Sequence, residues 1–339
     1  MERSISLNHI VKNYFQDISD CKIRSFGSGL IHRTFFLEHT EGDFILQKIN
    51  HQVFANPEIV MQNIQSIGDF LLEKNYPKAI LKILPTLDGS LLLKNKNEFW
   101  RCFYFIKDTQ YFSNATSEKQ VYDTGKSFGE FLTYLKDFPI EKITASIPNF
   151  HNPSFRLQQF ENAIKKNPVK RVQNATLEIE EIKSYLPLIK QWNTLKFPIR
   201  VVHADPKINN LLFDKNENVV AVIDWDTMMP GNILFDFGDL VRTMACTENE
   251  ESTNFENVKI DPVFYKNIKK GFLEMTGNWL SEIEKEHLKL GVKMIILEQA
   301  IRFLTDFITG DVYYKTDYQS HNLERTRNQL TLLKSFEKT

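Results

Sequence analysis

The chain has 339 residues, enough for one large domain or two ordinary domains with a substantial buried core. Apolar residues make up 42% of the chain and charged residues 25%, the usual balance of a globular protein in water. The 42 basic and 43 acidic residues nearly cancel, so no field of one sign favours nucleic acid or an anionic membrane as a partner.

Cysteine usage and hydropathy bear on the cell compartment. The three cysteines, Cys21, Cys102 and Cys246, lie far apart, which argues against a disulfide framework or a zinc site and suits a reducing compartment. The first residues lack the pattern of a signal peptide, and no uncharged apolar run approaches the ~20 residues that span a bilayer. We therefore expect a cytoplasmic protein, and the sequence leaves its oligomeric state open.

The first third of the chain predicts a small antiparallel sheet with one packed helix. Glycine-containing turns such as Asp88–Gly89 separate short β-rich runs at 34–37, 44–49, 78–85 and 98–106. A helix is predicted to begin near Pro57, because proline suits the first helical turn and apolar residues then recur at three- and four-residue steps. Those apolar residues are Val60, Ile64, Ile67 and Leu71.

From about residue 117 the pattern becomes mainly helical. A predicted helix with one apolar face runs from there to Pro139, and further helices are predicted at 285–308 and 322–337. A β segment at 199–224 interrupts them. The predicted fold class is α+β, with a small antiparallel-sheet lobe followed by a larger, mainly helical lobe. The predicted boundaries are an N-lobe at 1–106, a hinge at 107–116 and a C-lobe at 117–339.

The stretch at 199–227 carries the chemistry. Two apolar runs, at 211–213 and 219–223, flank a polar segment that predicts a hairpin turn. Antiparallel pairing of the two runs would bring Asn210 and Asp224 to the same end of the hairpin. A carboxylate and an amide oxygen are hard ligands that suit Mg²⁺. The spacing therefore predicts a magnesium site formed by these two side chains.

Asp205 lies five residues before Asn210, in the loop that leads into the hairpin. A carboxylate there can accept or orient the proton of an alcohol while the metal neutralises charge on the γ-phosphate of ATP. A loop aspartate combined with Asn and Asp metal ligands matches the phosphoryl-transfer arrangement of kinases. We interpret His203 as a buried residue that organises this loop, since an isolated HxD pattern is usually structural.

Three further aspartates follow the hairpin. Asp236 opens a DFG triplet, but it falls twelve residues beyond Asp224, so we expect Asp236 and Asp239 to anchor the following helix. Asp226 alternates with Asp224 along an extended chain and would lie on the same face. Asp226 is therefore open to two interpretations, as a residue that supports the metal ligands or as a ligand of a second metal.

With these residues identified, the chain resembles the aminoglycoside phosphotransferase and choline kinase superfamily, whose core motif is HxDxxxxN followed by IDW. Within that superfamily it is most similar to the N-acetylhexosamine 1-kinases. The matching stretches span nearly the whole chain in order. They include GSGLIHRTF (27–35), ILQKINHQVFANPEIVMQN (45–63), IPNFHN (147–152), HADPKINNLLFD (203–214), IDWDTMMPG (223–231), DFGDLVRT (236–243) and RFLTDFITGDVYYK (302–315).

The resemblance implies a bilobal, protein-kinase-like fold and ATP- and Mg²⁺-dependent phosphorylation of the anomeric hydroxyl of an N-acetylhexosamine. By position, Asp205 is the catalytic base, and Asn210 and Asp224 bind magnesium. The loop from Gly27 through Ser28 and Gly29 to Thr34 would cover the phosphates. His32, Arg302 and Tyr313 would contact the sugar. Arginine forks onto hydroxyl or acetamide oxygens and tyrosine stacks on a sugar ring, although Arg302 is also placed for an i,i+4 salt bridge to Asp306.

The phosphate-gripping lysine of the third strand is where the chain departs from the kinase pattern. The position falls on Gln47 or on Lys48, and strand alternation places these two side chains on opposite faces. Gln47 would be paired with Asn63, whereas Lys48 would be paired with Glu58. We prefer Lys48 because it supplies the charge. Ala204 and Pro206, which flank the predicted base, also differ from the usual Asn and Thr of the family and bear on the choice of acceptor.

Two other functions compete with a sugar 1-kinase. One is a kinase of another small alcohol, of the choline, aminoglycoside, homoserine or methylthioribose type. Cationic acceptors need acidic or aromatic surroundings, and residues 298–322 contain Asp306, Asp311 and three tyrosines. The other is a nucleotide-binding pseudokinase. Its only support is that either Gln47 or Lys48 can occupy the position of the third-strand lysine. Neither alternative predicts a nucleic-acid or membrane partner.

Overall fold

A computed structural model describes residues 7–27 and 31–339 of the chain. These residues form two compact units, each assembled from discontinuous segments. The first unit comprises the described residues up to Gln110 together with Asp137–Pro148 and Leu212–Pro230, and the second comprises Tyr111–Lys136, Asn149–Leu211 and Gly231–Thr339. One unit contains an antiparallel sheet and the other is mainly helical, which confirms the predicted α+β fold class.

The first unit is organised around an antiparallel sheet with the strand order β1-β2-β3-β6-β4, in which β5 pairs with β6. Its strands are β1 (Lys22–Ser25), β2 (Arg33–His39), β3 (Gly42–Ile49), β4 (Ile83–Leu84), β5 (Leu93–Asn95) and β6 (Glu98–Tyr104). Its helices are α1 (Asn8–Val11) and α2 (Pro57–Glu73). Pro57 opens α2, as the sequence predicted, and the Asn56 side chain caps it.

The two faces of the central strands have different neighbours. Alternate residues of β3, Phe44 and Leu46, join a buried apolar cluster with Phe15 and with the α1 residue Ile10. On the other face, the Arg101 guanidinium of β6 lies 3.9 Å from the sulfur of Met61 in α2. Because neighbouring residues of a strand point to opposite faces, one face is apolar beneath α1 and the other carries polar groups toward α2.

The predicted hairpin is present. Strand β8 (Leu211–Phe213) pairs with β9 (Val219–Val222), and the Asp214 N–H donates to the Asn218 carbonyl at 2.9 Å to close the turn. The Asp214 carboxylate accepts the backbone N–H groups of Asn216 and Asn218 at 2.8 and 2.9 Å, which stabilises the turn locally. After the hairpin, β10 spans Met229–Gly231.

The second unit is mainly helical. Its elements are α3 (Glu118–Tyr134), α4 (Pro153–Lys166), α5 (Thr176–Ser184), α6 (Leu186–Thr194), β7 (Arg200–Val202), α7 (Ile233–Met244), α8 (Pro262–Thr276), α9 (Glu282–Glu286), α10 (Leu288–Thr309) and α11 (His321–Glu337). Helix α10 is buried along most of its length and packs against α4, α7 and α11. Within residues 7–27 and 31–339, no helix combines the length and apolar character needed to cross a bilayer.

Several element boundaries differ from the sequence-based prediction. Helix α3 ends at Tyr134, before Pro139, because a 3-10 turn at Leu135 already closes it. The predicted helix at 285–308 is broken at His287 into α9 and α10, since a Ser281–Glu284 capping box starts a separate short helix. The predicted helix at 322–337 is confirmed as α11 with one additional residue.

Helices α3 and α8 approach so closely that their backbones touch at glycine. A Cβ atom at Gly271 would lie 2.2 Å from the Tyr122 carbonyl oxygen, and one at Gly125 would lie 2.6 Å from the Ile268 carbonyl oxygen. Neither oxygen belongs to a flexible side chain that can move aside. The packing of this helix pair therefore requires the absence of a side chain at these positions.

We predict that Gly271→Ala lowers the free energy of unfolding by about 1–3 kcal/mol, because the added methyl forces the two helices apart. Urea denaturation of the purified protein would measure the change. Lys266→Ala is the matched control, since it adds no methyl at the contact and Lys266 is exposed on the same helix. Equal stability of Gly271→Ala and the wild-type protein would contradict the packing described.

Candidate active site

The predicted base, Asp205, lies in a loop of the second unit whose backbone is fixed from several directions. The buried Asp236 carboxylate accepts the N–H groups of His203 and Ala204 at 2.7 and 2.8 Å. Ala204 adopts a left-handed conformation, with φ of +65°, which is costly for a residue with a Cβ atom. Asp236 lies in the first turn of α7, whose cap is Asn232, so Asp236 holds the Asp205 loop and does not cap the helix as predicted.

His151 also holds the Asp205 loop. One ring nitrogen, Nε2, lies 2.8 Å from the Ala204 carbonyl oxygen, and the other, Nδ1, lies 3.0 Å from the Glu298 carboxylate. The Ala204 carbonyl oxygen can only accept, so Nε2 carries a proton that it donates to this oxygen. Burial alone would lower the pKa of His151, but the Glu298 carboxyl and the Ala204 carbonyl more than offset it, and the pKa is raised. A buried histidine–carboxyl pair thus connects α10 to the loop.

Burial also has a large effect on Asp236. It raises the pKa of this carboxyl to about 7, and the two backbone N–H groups of the loop offset only part of the effect. His203 is fully buried, and its ring packs edge-on against Phe128 at a centroid distance of 5.2 Å. The ring position agrees with the predicted structural role for His203.

Asp205 itself lies beside a cation and beside the predicted metal ligand. The Lys207 ammonium donates to Asp205 Oδ2 at 2.7 Å. The Asn210 amide nitrogen donates to the Asp205 carbonyl at 2.8 Å and lies 3.4 Å from the same carboxylate oxygen. This orientation leaves the Asn210 amide oxygen as the atom that can bind a cation. The structure therefore brings Asp205 and Asn210 together within one unit.

Lys207 keeps Asp205 ionised. Burial would raise the pKa of the Asp205 carboxyl, but the charge and the hydrogen bond of Lys207 outweigh it, so the pKa lies below its usual range. A base in this state can accept a proton at neutral pH without first losing its own. The lysine therefore controls the acid limit of any reaction in which Asp205 acts as a base.

We predict that Lys207→Met moves the acid limb of the pH profile of kcat/KM to higher pH. Removing the cation leaves burial unopposed, so the pKa of Asp205 rises and the base becomes protonated at a higher pH. Steady-state rates from about pH 3.5 to 9 would measure the shift, because the limb of the wild-type enzyme lies at the acid end of this range. Lys166→Met removes an exposed lysine of the same unit as the control. A profile identical to that of the wild-type enzyme would rule out this role for Lys207.

Asp224 belongs to the first unit and follows β9. It has φ of 62° and ψ of 58°, a left-handed conformation, and its side chain is exposed between the buried residues Val222 and Trp225. A 3-10 turn, Trp225–Thr227, follows directly; we refer to residues 224–227 as the Asp224 turn. Asn210 lies in the second unit, so the joint approach of Asn210 and Asp224 to one ion stays a prediction.

The donors at these two positions suit Mg²⁺, since an amide oxygen and an exposed carboxylate are both hard ligands. Among the described residues there is no group of three or more His, Cys, Asp or Glu side chains arranged to hold a metal. A site with one carboxylate and one amide does not require such a group, because Mg²⁺ completes its shell with water and phosphate oxygens.

Asp226 is engaged by protein groups and does not have a carboxylate oxygen to spare for a second metal. Arg101 donates to both oxygens, at 2.6 and 2.8 Å, and His32 Nε2 lies 2.6 Å from one of them. Burial would raise the pKa of Asp226, but Arg101 and His32 reverse this and hold it far below its usual range. Of the two interpretations of Asp226, the structure favours the supporting residue.

Gln47 lies on the same face of the sheet as this ion pair. Its side chain accepts from Arg101 Nε at 3.0 Å and donates to Thr34 Oγ1 at 3.0 Å, which completes a polar row across β2, β3 and β6. One alternative predicted that Gln47 is paired with Asn63. This pairing is wrong, because Gln47 is bonded to Arg101 and Thr34. Asn63 instead exchanges hydrogen bonds with the Thr144 backbone, at 2.7 and 3.1 Å.

Lys48 lies on the opposite face, at the end of the α1 side of the sheet. Its ammonium pairs with Glu98, which also accepts from Trp100 Nε1 at 3.1 Å. The predicted pairing of Lys48 with Glu58 is therefore wrong. The geometry favours Gln47 at the position expected for the lysine, against the preference for Lys48, because only Gln47 faces Arg101, Asp226 and α2.

The preceding loop is described in part. Gly27 has φ of +73°, a conformation that suits glycine. Ser28 and Gly29, predicted to cover the phosphates, lie outside the described residues. His32 accepts the Asn50 N–H on Nδ1 at 3.0 Å, so Nε2 carries the proton that is donated to Asp226. The predicted contact of His32 with an acceptor stays a prediction.

We predict that Gln47→Leu raises the KM for ATP more than Lys48→Met does, because Gln47 alone belongs to the face that carries the Asp224 turn. Initial rates at varied ATP would measure both constants, and each variant serves as the control for the other. If Lys48→Met had the larger effect on the KM for ATP, the assignment of faces to functions given above would be incorrect.

Arg302 and Tyr313 lie together in the second unit. The Arg302 guanidinium stacks near three rings, with centroid distances of 5.2 Å to Phe150, 5.8 Å to Tyr313 and 5.6 Å to Tyr314. It donates to Gln299 at 3.1 Å, and Tyr313 is 56% exposed. We refer to Phe150, Arg302, Tyr313 and Tyr314 as the arginine–aromatic cluster.

Asp306 has a different function from the predicted salt bridge to Arg302. Its carboxylate accepts the backbone N–H groups of residues 312–314, each at 2.9 Å, and so fixes the turn that carries Tyr313. Glu298, Arg302 and Asp306 follow one another at four-residue steps on α10, so they lie along one side of the helix. This side connects the Asp205 loop to the arginine–aromatic cluster.

Several of these residues were not identified from the sequence. His151 lies inside the IPNFHN stretch, and Arg101 is a charged residue between the apolar residues Trp100 and Cys102 in the middle of a strand; both features are signals of a buried polar role. Arg156 was missed as well; it donates to the Phe150 carbonyl at 2.9 Å, and burial, with the charge of Arg302, lowers its pKa.

The fold is shared with solved phosphotransferases. A spectinomycin phosphotransferase bound to ADP and spectinomycin is 15% identical, with a TM-score of 0.62 and coverage of 98% of both chains. A microcompartment-associated aminopropanol kinase is 12% identical, with a TM-score of 0.61 and the same coverage. An aminoglycoside phosphotransferase from Alicyclobacillus acidocaldarius is 12% identical, with a TM-score of 0.65 and coverage of 97% of this chain and 94% of that one.

Similarity at these identities shows a common fold, that of kinase-like phosphotransferases. The amino-acid sequence gives a more specific assignment than the fold does. Residues 22–256 match the phosphotransferase enzyme family, and this span includes Asp205, Asn210 and Asp224. The chain belongs to the phosphotransferase enzyme family.

Proposed function

We propose that the protein is an ATP- and Mg²⁺-dependent kinase that phosphorylates the anomeric hydroxyl of an N-acetylhexosamine. The observation that carries the kinase assignment is the hydrogen-bonded pair of Asp205 and Asn210 in a loop held by Asp236 and His151. An ionised carboxylate is thereby fixed next to an amide whose oxygen can bind a cation.

The proposed roles follow from this arrangement. Asp205 accepts the proton of the acceptor hydroxyl as the hydroxyl oxygen bonds to the γ-phosphorus, and ADP leaves with the electrons of the broken P–O bond. Asn210 and Asp224 hold Mg²⁺, which when bound neutralises charge on the phosphates. Gln47 and Thr34, with the loop that begins at Gly27, lie toward the nucleotide. A pseudokinase would have no need of an aspartate held ionised beside the metal amide.

The acceptor is proposed from the arginine–aromatic cluster. Arg302 donates to a neutral amide, and Arg156 adds a second guanidinium close by. Two cations disfavour an ammonium group on the acceptor, whereas arginine donors and an exposed tyrosine ring suit the hydroxyl and acetamide oxygens and the flat face of a sugar.

The acidic residues that kept cationic acceptors open have other partners. Asp306 accepts three backbone N–H groups and the Asn322 amide at 3.0 Å, while Asp311 pairs with Arg171. Glu298 pairs with His151. These engagements favour an N-acetylhexosamine over the choline, aminoglycoside and amino-alcohol classes. The near balance of 42 basic and 43 acidic residues favours neither a nucleic-acid nor a membrane partner, and three dispersed free cysteines support a cytoplasmic location.

A substrate panel tests the proposal. The protein would be incubated with ATP, Mg²⁺ and separately N-acetylglucosamine, N-acetylgalactosamine, galactose, choline, aminopropanol or spectinomycin, with ADP release measured and the product identified by phosphorus NMR. We expect a glycosyl phosphate from an N-acetylhexosamine. Phosphorylation of a cationic alcohol would retain the kinase and overturn the acceptor, and ATP binding without turnover of any acceptor would support a pseudokinase.

We predict that Asp205→Asn lowers kcat by about 10²–10⁴-fold, the range for loss of a positioned base. Nucleotide binding, measured by calorimetry, should remain close to that of the wild-type protein because the substitution preserves shape. Asp137→Asn, at an exposed position, is the control. Undiminished turnover in Asp205→Asn would remove this residue from the proposed mechanism.

A further inference from the structure

The Asp224 turn contains a residue in an uncommon backbone conformation. Residues other than glycine seldom occupy the left-handed region, and the conformation persists where the surroundings impose it. Asp224 has this conformation, with φ of 62°, and its side chain is exposed while the next three residues are buried. The buried residues of the turn must therefore provide the constraint.

The constraint is supplied through Asp226, two residues after Asp224. The Arg101 guanidinium donates to both carboxylate oxygens of Asp226, at 2.6 and 2.8 Å. The Arg101 and Asp226 side chains are only 3% and 2% exposed. His32 adds a third hydrogen bond at 2.6 Å. A bidentate arginine–carboxylate contact fixes the orientation of the carboxylate as well as its distance from the guanidinium. The sheet therefore sets the position of Asp226.

Arg101 is itself held in place. Its Nε donates to Gln47 at 3.0 Å, and Gln47 is tied to Thr34 at 3.0 Å, so β2, β3 and β6 act together on the guanidinium. On the other side of the turn, Trp225 is buried and donates to the Val222 carbonyl at 2.9 Å. The turn is thus fixed between the sheet and the hairpin, and all of these residues belong to one compact unit.

We propose that Arg101 is a positioning residue, which acts through Asp226 to hold Asp224 in the conformation that presents its carboxylate to Mg²⁺. This proposal rests on the assignment of Asp224 as a metal ligand made above. The Arg101–Asp226 pair connects the sheet to the metal-binding turn, in a chain whose third-strand lysine, Lys48, faces away and pairs with Glu98. Because its guanidinium is engaged by Asp226 and Gln47, Arg101 acts on the metal ligand and not on the nucleotide directly.

A double-mutant cycle separates these two modes of action. The full-length wild-type protein, Arg101→Gln, Asp226→Asn and the double variant would be titrated with Mn²⁺ in the presence of ADP, and free Mn²⁺ would be followed by electron paramagnetic resonance. We expect each single variant to bind Mn²⁺ about 10- to 100-fold more weakly, the usual loss when a residue that orients a metal ligand is removed. The double variant should be no worse than the weaker single variant.

Multiplied losses in the double variant would overturn the proposal, because Arg101 would then act independently of Asp226. Unchanged Mn²⁺ binding in the folded Arg101→Gln protein would also overturn it. Arg24→Gln, at an exposed position of β1, is the control for loss of an arginine in the same unit. Circular dichroism and melting temperature would show which variants fold.

Arg101→Gln leaves the Asp226 carboxylate buried without its cation and can fail to fold. The double variant removes both charges, so a folded double variant keeps the test decisive: wild-type Mn²⁺ affinity in it would refute the proposal. The wild-type titration checks the proposed function separately. If the wild-type protein with ADP bound no Mn²⁺, the assignment of the metal site itself would be wrong.

Discussion

The buried ion pair between Arg101 and Asp226 is the interaction on which the first unit's part of the site depends. Removing one member of a buried pair typically costs ~3–5 kcal/mol, since the other charge is left without water and without a partner. The pair is therefore a constraint as much as a source of stability. The strands, helix α2 and the hairpin must pack so that Arg101 and Asp226 lie in contact and all their hydrogen bonds are made.

A comparable logic operates in the second unit, with different chemistry. The Asp205 loop contains a residue in a left-handed conformation, and buried titratable side chains hold its backbone. Asp236 of α7 accepts its N–H groups, and His151, which is paired with Glu298 of α10, donates to its carbonyl. Each unit thus carries a short, strained segment whose geometry is imposed by buried titratable side chains that do not themselves lie at the proposed chemistry. This division agrees with the general rule that strain near functional sites requires rigid support.

The sequence was sufficient for features set by neighbouring residues. The α2 start near Pro57, the hairpin of the runs 211–213 and 219–223 and the proximity of Asp205 and Asn210 all follow from local rules, and all are present. Features that depend on distant residues were not predictable. Arg101 and Asp226 are 125 residues apart, and His151 and Glu298 are 147 apart. No propensity or periodicity links such positions.

The choice between Gln47 and Lys48 shows why register is a special difficulty. A shift of one residue reverses the face of every side chain in a strand, and the sequence offers both registers with plausible partners. The sequence-based prediction favoured Lys48 because of its positive charge. The hydrogen bonds of Gln47 with Arg101 and Thr34 instead place Gln47 on the face toward α2. The positive charge on this face comes from Arg101 of β6 and not from a residue of β3.

The alignment of Glu298, Arg302 and Asp306 along α10 has an evolutionary consequence. The three residues span eight positions, about 12 Å of helix, and each engages a different segment: the Asp205 loop, the ring cluster and the 312–314 turn. Residues of the 312–314 turn can be substituted independently of the Asp205 loop. A single-residue insertion or deletion within this stretch of α10, by contrast, would rotate its ends by about 100° relative to each other and disconnect at least one segment. Diversification of this site is thus expected to proceed by point changes around a helix of fixed length.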